Sequence, residues 1–99
     1  MKVFWTNNAE DHLDSIYTHI KHDSPEYAKR MVDRLTSKSQ QIGEFPLSGR
    51  KVPEFDSDQI REVIEDPFRM IYRIKSDQIE ILAVIHGAMN VLRSENKEK

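Results

Sequence analysis

The sequence predicts an α+β domain in which a two-helix hairpin packs on one face of a four-stranded, mostly antiparallel sheet. Three observations lead to this prediction. Apolar residues recur at the period of a helix between residues 7 and 42. They recur at every second position, as in strands, between residues 60 and 86. A short β-prone segment at residues 3–5 precedes both regions and predicts an N-terminal strand.

The first helix is expected to begin directly after this strand. Thr6, Asn7 and Asn8 all belong to the residue types that cap helices. With Asn7 as the N-cap, Glu10 falls at the capping-box position. Apolar residues at helical spacing then form one face, which consists of Leu13, Ile16, Tyr17 and Ile20. The pattern predicts an amphipathic helix.

A second helix is expected to begin at Ser24 and Pro25. Serine can cap a helix, and proline at the first helical position gives up an amide that would be unpaired anyway. The apolar stripe of this helix consists of Tyr27, Ala28, Met31, Val32, Leu35 and Ile42. Gly43 is predicted to end the helix.

Residues 44–58 have the composition of an irregular link, and Gly49, Pro53 and Pro67 are interpreted as turn formers. Residues 60–64 then predict a strand. In residues 68–75 one face is apolar and is expected to lie in the core with Trp5; it holds Phe68, Met70, Tyr72 and Ile74. The opposite face is expected to be wetter; it holds Arg69, Ile71, Arg73 and Lys75.

The last strand is the best candidate for a central strand of the sheet. Ser76 and Asp77 are candidates for a two-residue hairpin turn, although neither is the glycine that primed turns favour. Both faces of residues 79–86 are largely apolar, and strict alternation places one set on a single face: Ile79, Ile81, Ala83 and Ile85.

Length and cysteine content limit the classes of protein to which the chain can belong. A chain of 99 residues and 11.7 kDa is long enough for one domain. We place this domain at residues 1–92. The remaining residues, 93–99, form a charged tail that is expected to fray. The absence of cysteine excludes disulfide scaffolds, thiol catalysis and cysteine-based metal sites.

Charge and hydropathy limit the partners. Lysine and arginine number 15 and aspartate and glutamate 17, and no segment forms the basic block of a general nucleic-acid binder. The longest aliphatic run, residues 81–85, is far shorter than the ~20 residues of a membrane span. The first five residues lead directly into polar ones, which argues against a signal peptide. We expect a soluble, cytoplasmic protein with no membrane partner.

Motifs for metal or cofactor chemistry are weak. His19 and His22 could share a metal with His12 or Asp23, but histidines among charged neighbours more often lie on a solvated helix face. The sequence also lacks a phosphate-binding loop, a dinucleotide fingerprint and a serine nucleophile motif. No metal, cofactor or covalent nucleophile is predicted.

Basic and titratable residues are concentrated in the strand half and the link that leads into it: Arg50, Lys51, Arg61, Arg69, Tyr72, Arg73 and His86. Metal-free cleavage of RNA needs a base, an acid and cations that stabilise the phosphate in the transition state. His86 has the intrinsic pKa for acid–base work, but a histidine at a strand end is more often structural. The residues alone therefore leave catalysis open, and no catalytic residue is assigned.

Several short motifs occur together in an order typical of one family. They are Trp5-Thr6 before Ala9, Ser24-Pro25 with Ala28, Gly49-Arg50 with Val52-Pro53-Glu54, Ile60-Arg61-Glu62, Pro67 to Arg73, and Ile81 to Ala88. With these motifs the chain resembles the RelE/ParE superfamily of bacterial type II toxins over residues 3–90. The resemblance implies the same α+β fold, a growth-inhibiting toxin of a plasmid-stabilisation type, and a cognate antitoxin as partner.

Members of the superfamily differ in target. ParE-like toxins inhibit DNA gyrase, whereas RelE-like toxins cleave mRNA on the ribosome. The segment from His86 to Asn90 is similar to a ParE-like ending, and the net charge of −2 departs from the strongly basic RelE-like ribonucleases. We therefore expect gyrase inhibition, with these target-binding residues: Arg61, Arg69, Arg73, His86 and Arg93.

Two alternatives stay open. In a ribosome-dependent ribonuclease, His86 or Tyr72 would serve as acid or base, and Arg61 and Arg73 would hold the scissile phosphate. A non-toxic relative would act only as an antitoxin-binding module. The sequence does not specify the oligomeric state.

Overall fold

A computed structural model describes residues 1–87. Its elements are β1 (Lys2–Trp5), α1 (Asn7–Asp23), α2 (Pro25–Glu44), a 3-10 turn (Pro46–Ser48), β2 (Arg50–Lys51), β3 (Ile60–Glu65), β4 (Phe68–Ile74) and β5 (Gln78–His86). Within this range the strands form one sheet in the order β1-β5-β4-β3-β2. β1 runs parallel to β5, and the other neighbours are antiparallel. The predicted α+β fold with its helical hairpin is confirmed.

Within residues 1–87 the sheet has five strands instead of the predicted four. The additional strand, β2, is only two residues long and lies at the sheet edge, where it pairs with Arg61 and Glu62 of β3. A strand of two residues is too short to show a period-2 pattern, so this segment was predicted to be part of an irregular link. Arg93, the predicted domain end at residue 92 and the predicted tail lie outside the described residues.

The start of α1 differs from the prediction by one residue. Thr6, and not Asn7, is the N-cap, and its side chain accepts a hydrogen bond from the Ala9 amide at 3.1 Å. The Thr6 amide also donates to the Ile81 carbonyl, so the residue that follows β1 both extends the sheet pairing and caps the helix. The strand and the helix are therefore joined without a loop.

The start of α2 is confirmed, because Ser24 caps the Tyr27 amide and Pro25 is the first helical residue. Its end is shifted: the helix continues through Gly43 to Glu44. Gly43 instead permits close packing, since a Cβ there would lie 2.7 Å from the carbonyl oxygen of Met1 and from Cγ2 of Val3. The amino terminus of Met1 donates to the Gly43 carbonyl at 2.6 Å.

The main core lies between the helices and one face of the sheet. Its buried residues are Ala9, Met31, Leu35, Ile42, Met70, Tyr72, Ile79, Ile81 and Val84. Trp5 and Phe68 pack against this cluster, as predicted. No helix within residues 1–87 is long and apolar enough to cross a membrane.

The face of β4 that is turned away from the helices is less exposed to solvent than predicted. Ile71 is fully buried and Arg69 is only 7% exposed. The link after β2 lies over them, and Val52 and Phe55 pack with Ile71 and Ala83 in a second apolar cluster. The link was expected to connect elements, but it also covers part of the sheet.

β5 contains a β-bulge, so the strict alternation predicted for residues 79–86 is wrong. Ile71 of β4 pairs with Ala83 and Tyr72 pairs with Ile81, so Leu82 is an extra residue. Because side chains alternate strictly along a strand, one inserted residue exchanges the two faces. Ile79 and Ile81 consequently lie in the main core, whereas Ala83 and Ile85 lie in the second cluster.

The predicted hairpin turn at Ser76 and Asp77 is confirmed, with the Lys75 amide donating to the Gln78 carbonyl at 2.9 Å. None of the described non-glycine residues has a positive φ, so the turn is not the type I′ turn that would require two of them.

Candidate functional site

A buried carboxylate on β3, next to the edge strand β2, organises the basic residues of the strand half. Glu62 is 1% exposed, and its two oxygens accept hydrogen bonds from Arg50 and from Arg69, the latter through Nε at 2.6 Å. Arg69 also reaches Glu54 of the overlying link at 3.2 Å. We call these four residues the Glu62 cluster. A buried carboxylate needs such charge-assisted partners, because desolvation of an unpaired charge is costly.

Arg69 stays charged within this cluster. Burial by itself lowers the pKa of its guanidinium, but the hydrogen bonds to Glu54 and Glu62 outweigh this effect and raise the pKa above its usual value. The structure therefore gives Arg69 an internal role, that of joining the link to the sheet. Its predicted contact with a target does not fit this position, because the guanidinium is covered and engaged by two carboxylates.

Tyr72, a predicted acid or base, is fully buried. Its hydroxyl donates to the Pro46 carbonyl at 2.6 Å and accepts from the Gly49 amide at 3.0 Å. Burial raises the pKa of the phenol, and the hydrogen bond from Gly49 only partly opposes this shift. A hydroxyl that is used twice inside the protein is poorly placed to exchange protons with a substrate.

The interpretation of Gly49 as a turn former is wrong. Its backbone is extended, with φ −81° and ψ 156°, so the position does not need glycine for a turn. A Cβ at this position would lie 2.6 Å from the Tyr72 hydroxyl and 2.6 Å from the Glu62 carbonyl oxygen. Glycine is required here because the link passes close to the ring of Tyr72.

The Arg61 side chain binds the backbone of the link at two positions, Gly49 and Asp58. Its guanidinium donates to the Gly49 carbonyl at 2.9 Å and to the Asp58 carbonyl at 3.1 Å. Asp58 also accepts from Lys51 at 2.6 Å, and this hydrogen bond is the main cause of the lowered pKa of the Asp58 carboxyl. Arg61 remains partly exposed, so it can contact a partner while it fixes the link.

Arg73 and His86 are the most accessible of the predicted residues that the structure describes. The Arg73 side chain is 46% exposed and lies near Glu80, with Nη1 and Oε1 3.6 Å apart. His86 is exposed at the end of β5, where its ring meets Phe68 edge-on, with centroids 6.2 Å apart. Either side chain could reach a partner from the surface.

The structure does not bring the predicted acid–base set together. His86 is paired with Phe68 of β4, four residues before Tyr72 and five before Arg73. At the usual rise of a strand, these intervals amount to about 13 and 17 Å. Alternation also separates the faces: His86 follows Val84 on the helix side, whereas Arg73 lies on the opposite side with Glu80.

Sequence reasoning missed three residues that shape this region. Glu54 and Glu62 were recognised as parts of short motifs, and their shared pairing with Arg69 was not predicted, although a carboxylate between Ile60 and Ile64 on one strand face signals a buried ion pair. His12 was considered only as a metal ligand, yet its Nδ1 accepts the Val84 amide at 3.1 Å. In residues 1–87 no group of three or more histidine, aspartate or glutamate side chains is arranged to hold a metal.

A helical hairpin on a small, largely antiparallel sheet defines a class of compact α+β domains, and comparison with known proteins specifies the family. The family model described as "ParE toxin of type II toxin-antitoxin system, parDE" matches residues 3–91. The chain is 34% identical over 86 residues to "Putative toxin Y4kP" of Sinorhizobium fredii, a match that covers 87% of this chain and 88% of that protein. The chain belongs to the ParE toxin family, which confirms the resemblance to the RelE/ParE superfamily.

Solved structures share the fold. A chain of a chromosomal ParDE TA system from P. aeruginosa superposes with a TM-score of 0.73 and 26% identity, covering 87% of this chain and 95% of that one. A chain of the RelBE2 toxin–antitoxin complex from Mycobacterium tuberculosis has a TM-score of 0.62 at 20% identity, with 86% and 95% covered. A YoeB/ParE toxin from Agrobacterium tumefaciens has a TM-score of 0.61 at 18% identity, with 87% and 98% covered. The last two likenesses concern the fold alone.

Proposed function

We propose that this ParE-family toxin inhibits growth by binding DNA gyrase and that a cognate antitoxin holds it inactive. The observation that carries the proposal is the separation of the groups a ribonuclease would need to bring together. Tyr72 uses its hydroxyl internally, and His86 lies about 13 Å along the strands from the Tyr72 position. An inhibitor that acts by binding does not require an assembled acid and base.

The target-binding residues in this proposal are the accessible ones. His86 would contact gyrase from the end of β5, and Arg61 and Arg73 from the two faces of the sheet. Arg93, outside the described residues, keeps the role that the resemblance implies. Arg69 contributes indirectly, because it holds the link against β3 and β4 through the Glu62 cluster.

The antitoxin is proposed from family membership and from the solved RelBE2 structure, which is a toxin–antitoxin complex. A partner that binds only the folded toxin stabilises it by mass action. The product of the neighbouring gene is therefore expected to co-purify with this chain and to raise its melting temperature. If it does neither, the pairing is wrong.

The test uses two reactions with the same purified, antitoxin-free chain. In the first, gyrase supercoils a relaxed plasmid with increasing amounts of the chain, and we expect supercoiling to fall. In the second, a cell-free translation reaction uses preformed mRNA, and transcript 5′ ends are mapped; we expect intact mRNA and normal protein yield.

Each other result rejects the gyrase proposal in a different way. New mRNA ends that appear only with ribosomes, together with normal supercoiling, would identify the ribosome-dependent ribonuclease. Unaffected reactions in both arms, with folded protein present, would identify a non-toxic relative that only binds an antitoxin.

A further inference from the structure

One corner of the sheet, on the face away from the helices, is left open by the link. Val3 and Trp5 of β1 pack into the main core, so Lys2 and Phe4 point to the opposite face. The strand register continues this face across β5 and β4. We call it the β1–β5–β4 corner, and its residues are Lys2, Phe4, Arg73, Lys75, Gln78 and Glu80.

The corner consists of two rows that run across the strands. Phe4 is paired with Glu80, and Glu80 with Arg73. Lys2 is paired with Gln78, which accepts the Lys75 amide in the adjoining turn. Because neighbouring strands are about 4.8 Å apart, Phe4 and Arg73 are separated by roughly 10 Å. An aromatic ring and three cations thus lie on one flat surface.

Phe4 is an exposed aromatic residue on the sheet face of the corner. Its side chain is 54% exposed on the sheet face, while Val3 and Trp5 on either side of it pack inward. An exposed phenylalanine in a short edge strand adds nothing to the core. An exposed aromatic ring can stack against another flat, apolar group.

The charge of the corner differs in sign from that of the whole chain. It contains Lys2, Arg73 and Lys75 against a single carboxylate, whereas the whole chain has a net charge of −2. Glu80 lies 3.6 Å from Arg73 and 3.5 Å from Lys75, so it holds both cations near the sheet. These side chains are still 46% and 48% exposed, which leaves N–H donors for an anionic partner.

We propose that the β1–β5–β4 corner binds single-stranded nucleic acid. An unpaired base stacks on Phe4, and the adjacent phosphates contact Lys2, Arg73 and Lys75. Sheet surfaces that carry aromatic side chains beside cations bind single strands in this way, because stacking tolerates any base and the cations neutralise phosphates. A duplex hides the faces of its bases and cannot use the ring. The inference does not depend on the proposed action on gyrase.

The test is fluorescence anisotropy with the purified full-length chain and three labelled probes: oligothymidine, oligouridine and a DNA duplex of equal length. We expect binding of at least one single strand in preference to the duplex. A preference between the two single strands distinguishes DNA from RNA as the source. Three phosphate contacts predict a slope of about −2 for log affinity against log salt, which Lys75→Ala reduces by about 0.7.

Substitutions in the corner separate stacking from charge. Phe4→Ala and the milder Phe4→Leu are each expected to weaken single-strand binding on the order of tenfold, because both remove the aromatic face. Glu80→Gln is expected to strengthen binding, because it removes the only carboxylate of the corner. Matched controls are Phe45→Ala and Lys29→Ala, which change an exposed phenylalanine and an exposed lysine elsewhere and are expected to have no effect.

Three results would overturn the proposal. The wild-type chain could bind neither single strand at low salt, or it could bind the duplex as tightly as the single strands. Phe45→Ala could also weaken binding as much as Phe4→Leu does, with unchanged circular dichroism in both variants. Each of these results would show that the corner is not a stacking site.

Discussion

His12 and Val84, 72 residues apart in the chain, are joined by a hydrogen bond in which the Val84 amide donates to Nδ1 of the imidazole at 3.1 Å. β1 ends at Trp5, which pairs with Ile81, so among residues 1–87 the outer edge of β5 has no strand partner beyond that point. The start of α1 takes over this role, because Asn8 donates to the Leu82 carbonyl at 3.0 Å. α1 therefore holds the bulge and the part of β5 that leads to His86.

Replacement of His12 tests whether its hydrogen bond to Val84 stabilises the fold. His12→Ala leaves the Val84 amide without its acceptor, which is expected to lower the free energy of unfolding by about 1–3 kcal/mol. Urea denaturation of the variant and of His19→Ala, which removes an exposed histidine from the same helix, measures the difference. Equal stability of the two variants would mean that the hydrogen bond does not hold β5.

The Glu62 cluster makes a stronger prediction. Glu62→Gln keeps the shape of the side chain but removes its charge, so that Glu54 is the one carboxylate left beside Arg69. Because Glu62 is buried, the free energy of unfolding is expected to fall by about 3–5 kcal/mol. The control is Asp58→Asn, which breaks the exposed ion pair with Lys51 and is expected to change little. Chemical denaturation compares the two; a loss no larger than that of Asp58→Asn would contradict the role of Glu62.

Gly49 is expected to tolerate no side chain. Gly49→Ala forces a Cβ against the Tyr72 hydroxyl and the Glu62 carbonyl, an overpacking that typically costs about 1–3 kcal/mol. At Gly87 the nearest atom to an added Cβ is the Pro67 carbonyl oxygen at 3.2 Å, so Gly87→Ala is expected to be milder. Thermal unfolding of both variants ranks the effects, and the reverse order would reject the close approach.

Tyr72 gives the protein a pH dependence in the alkaline range. Burial raises the pKa of its phenol in the folded state above that of the unfolded chain, which is about 10. The folded state therefore binds the proton more tightly, and stability is full below the unfolded pKa and falls as pH rises through the folded pKa. Stability profiles of wild type and Tyr72→Phe measure this: the variant should be less stable at neutral pH and show a shallower alkaline decline.

An ultraviolet titration gives an independent check on the same residue. Because burial raises the pKa of the Tyr72 phenol, a phase of phenol ionisation is expected above the usual value of about 10. Loss of this phase in Tyr72→Phe would assign it. A titration of the wild-type chain that shows no such phase would contradict the burial of this hydroxyl.

The sequence specified the helices and the main core because their signals are local. Ser24 and Pro25 identify the start of α2 by themselves. Helical spacing identifies most of its buried stripe, although Tyr27, predicted on that stripe, is 38% exposed. The bulge at Leu82 could not be found in this way. Residues 79–85 are apolar on both faces apart from Glu80, so alternation gives no sign that the faces exchange.

The candidate site was predicted less completely because its geometry depends on contacts between distant segments. The position of Arg69 follows from Glu62 on the neighbouring strand and from Glu54 in the link, and neither pairing has a sequence signature. Gly49 was interpreted as a turn former because the close approach of Tyr72, 23 residues later, is a tertiary feature. Composition could identify the arginines but could not decide which of them face inward.

We propose that the chain binds gyrase through accessible residues that include His86. The most direct measurement compares plasmid supercoiling by gyrase in the presence of wild-type chain, His86→Ala and His19→Ala, each with confirmed fold. We predict inhibition by wild type and by His19→Ala and a clear loss of inhibition by His86→Ala, which lies far from the β1–β5–β4 corner. Full supercoiling at excess wild-type protein would contradict the claim.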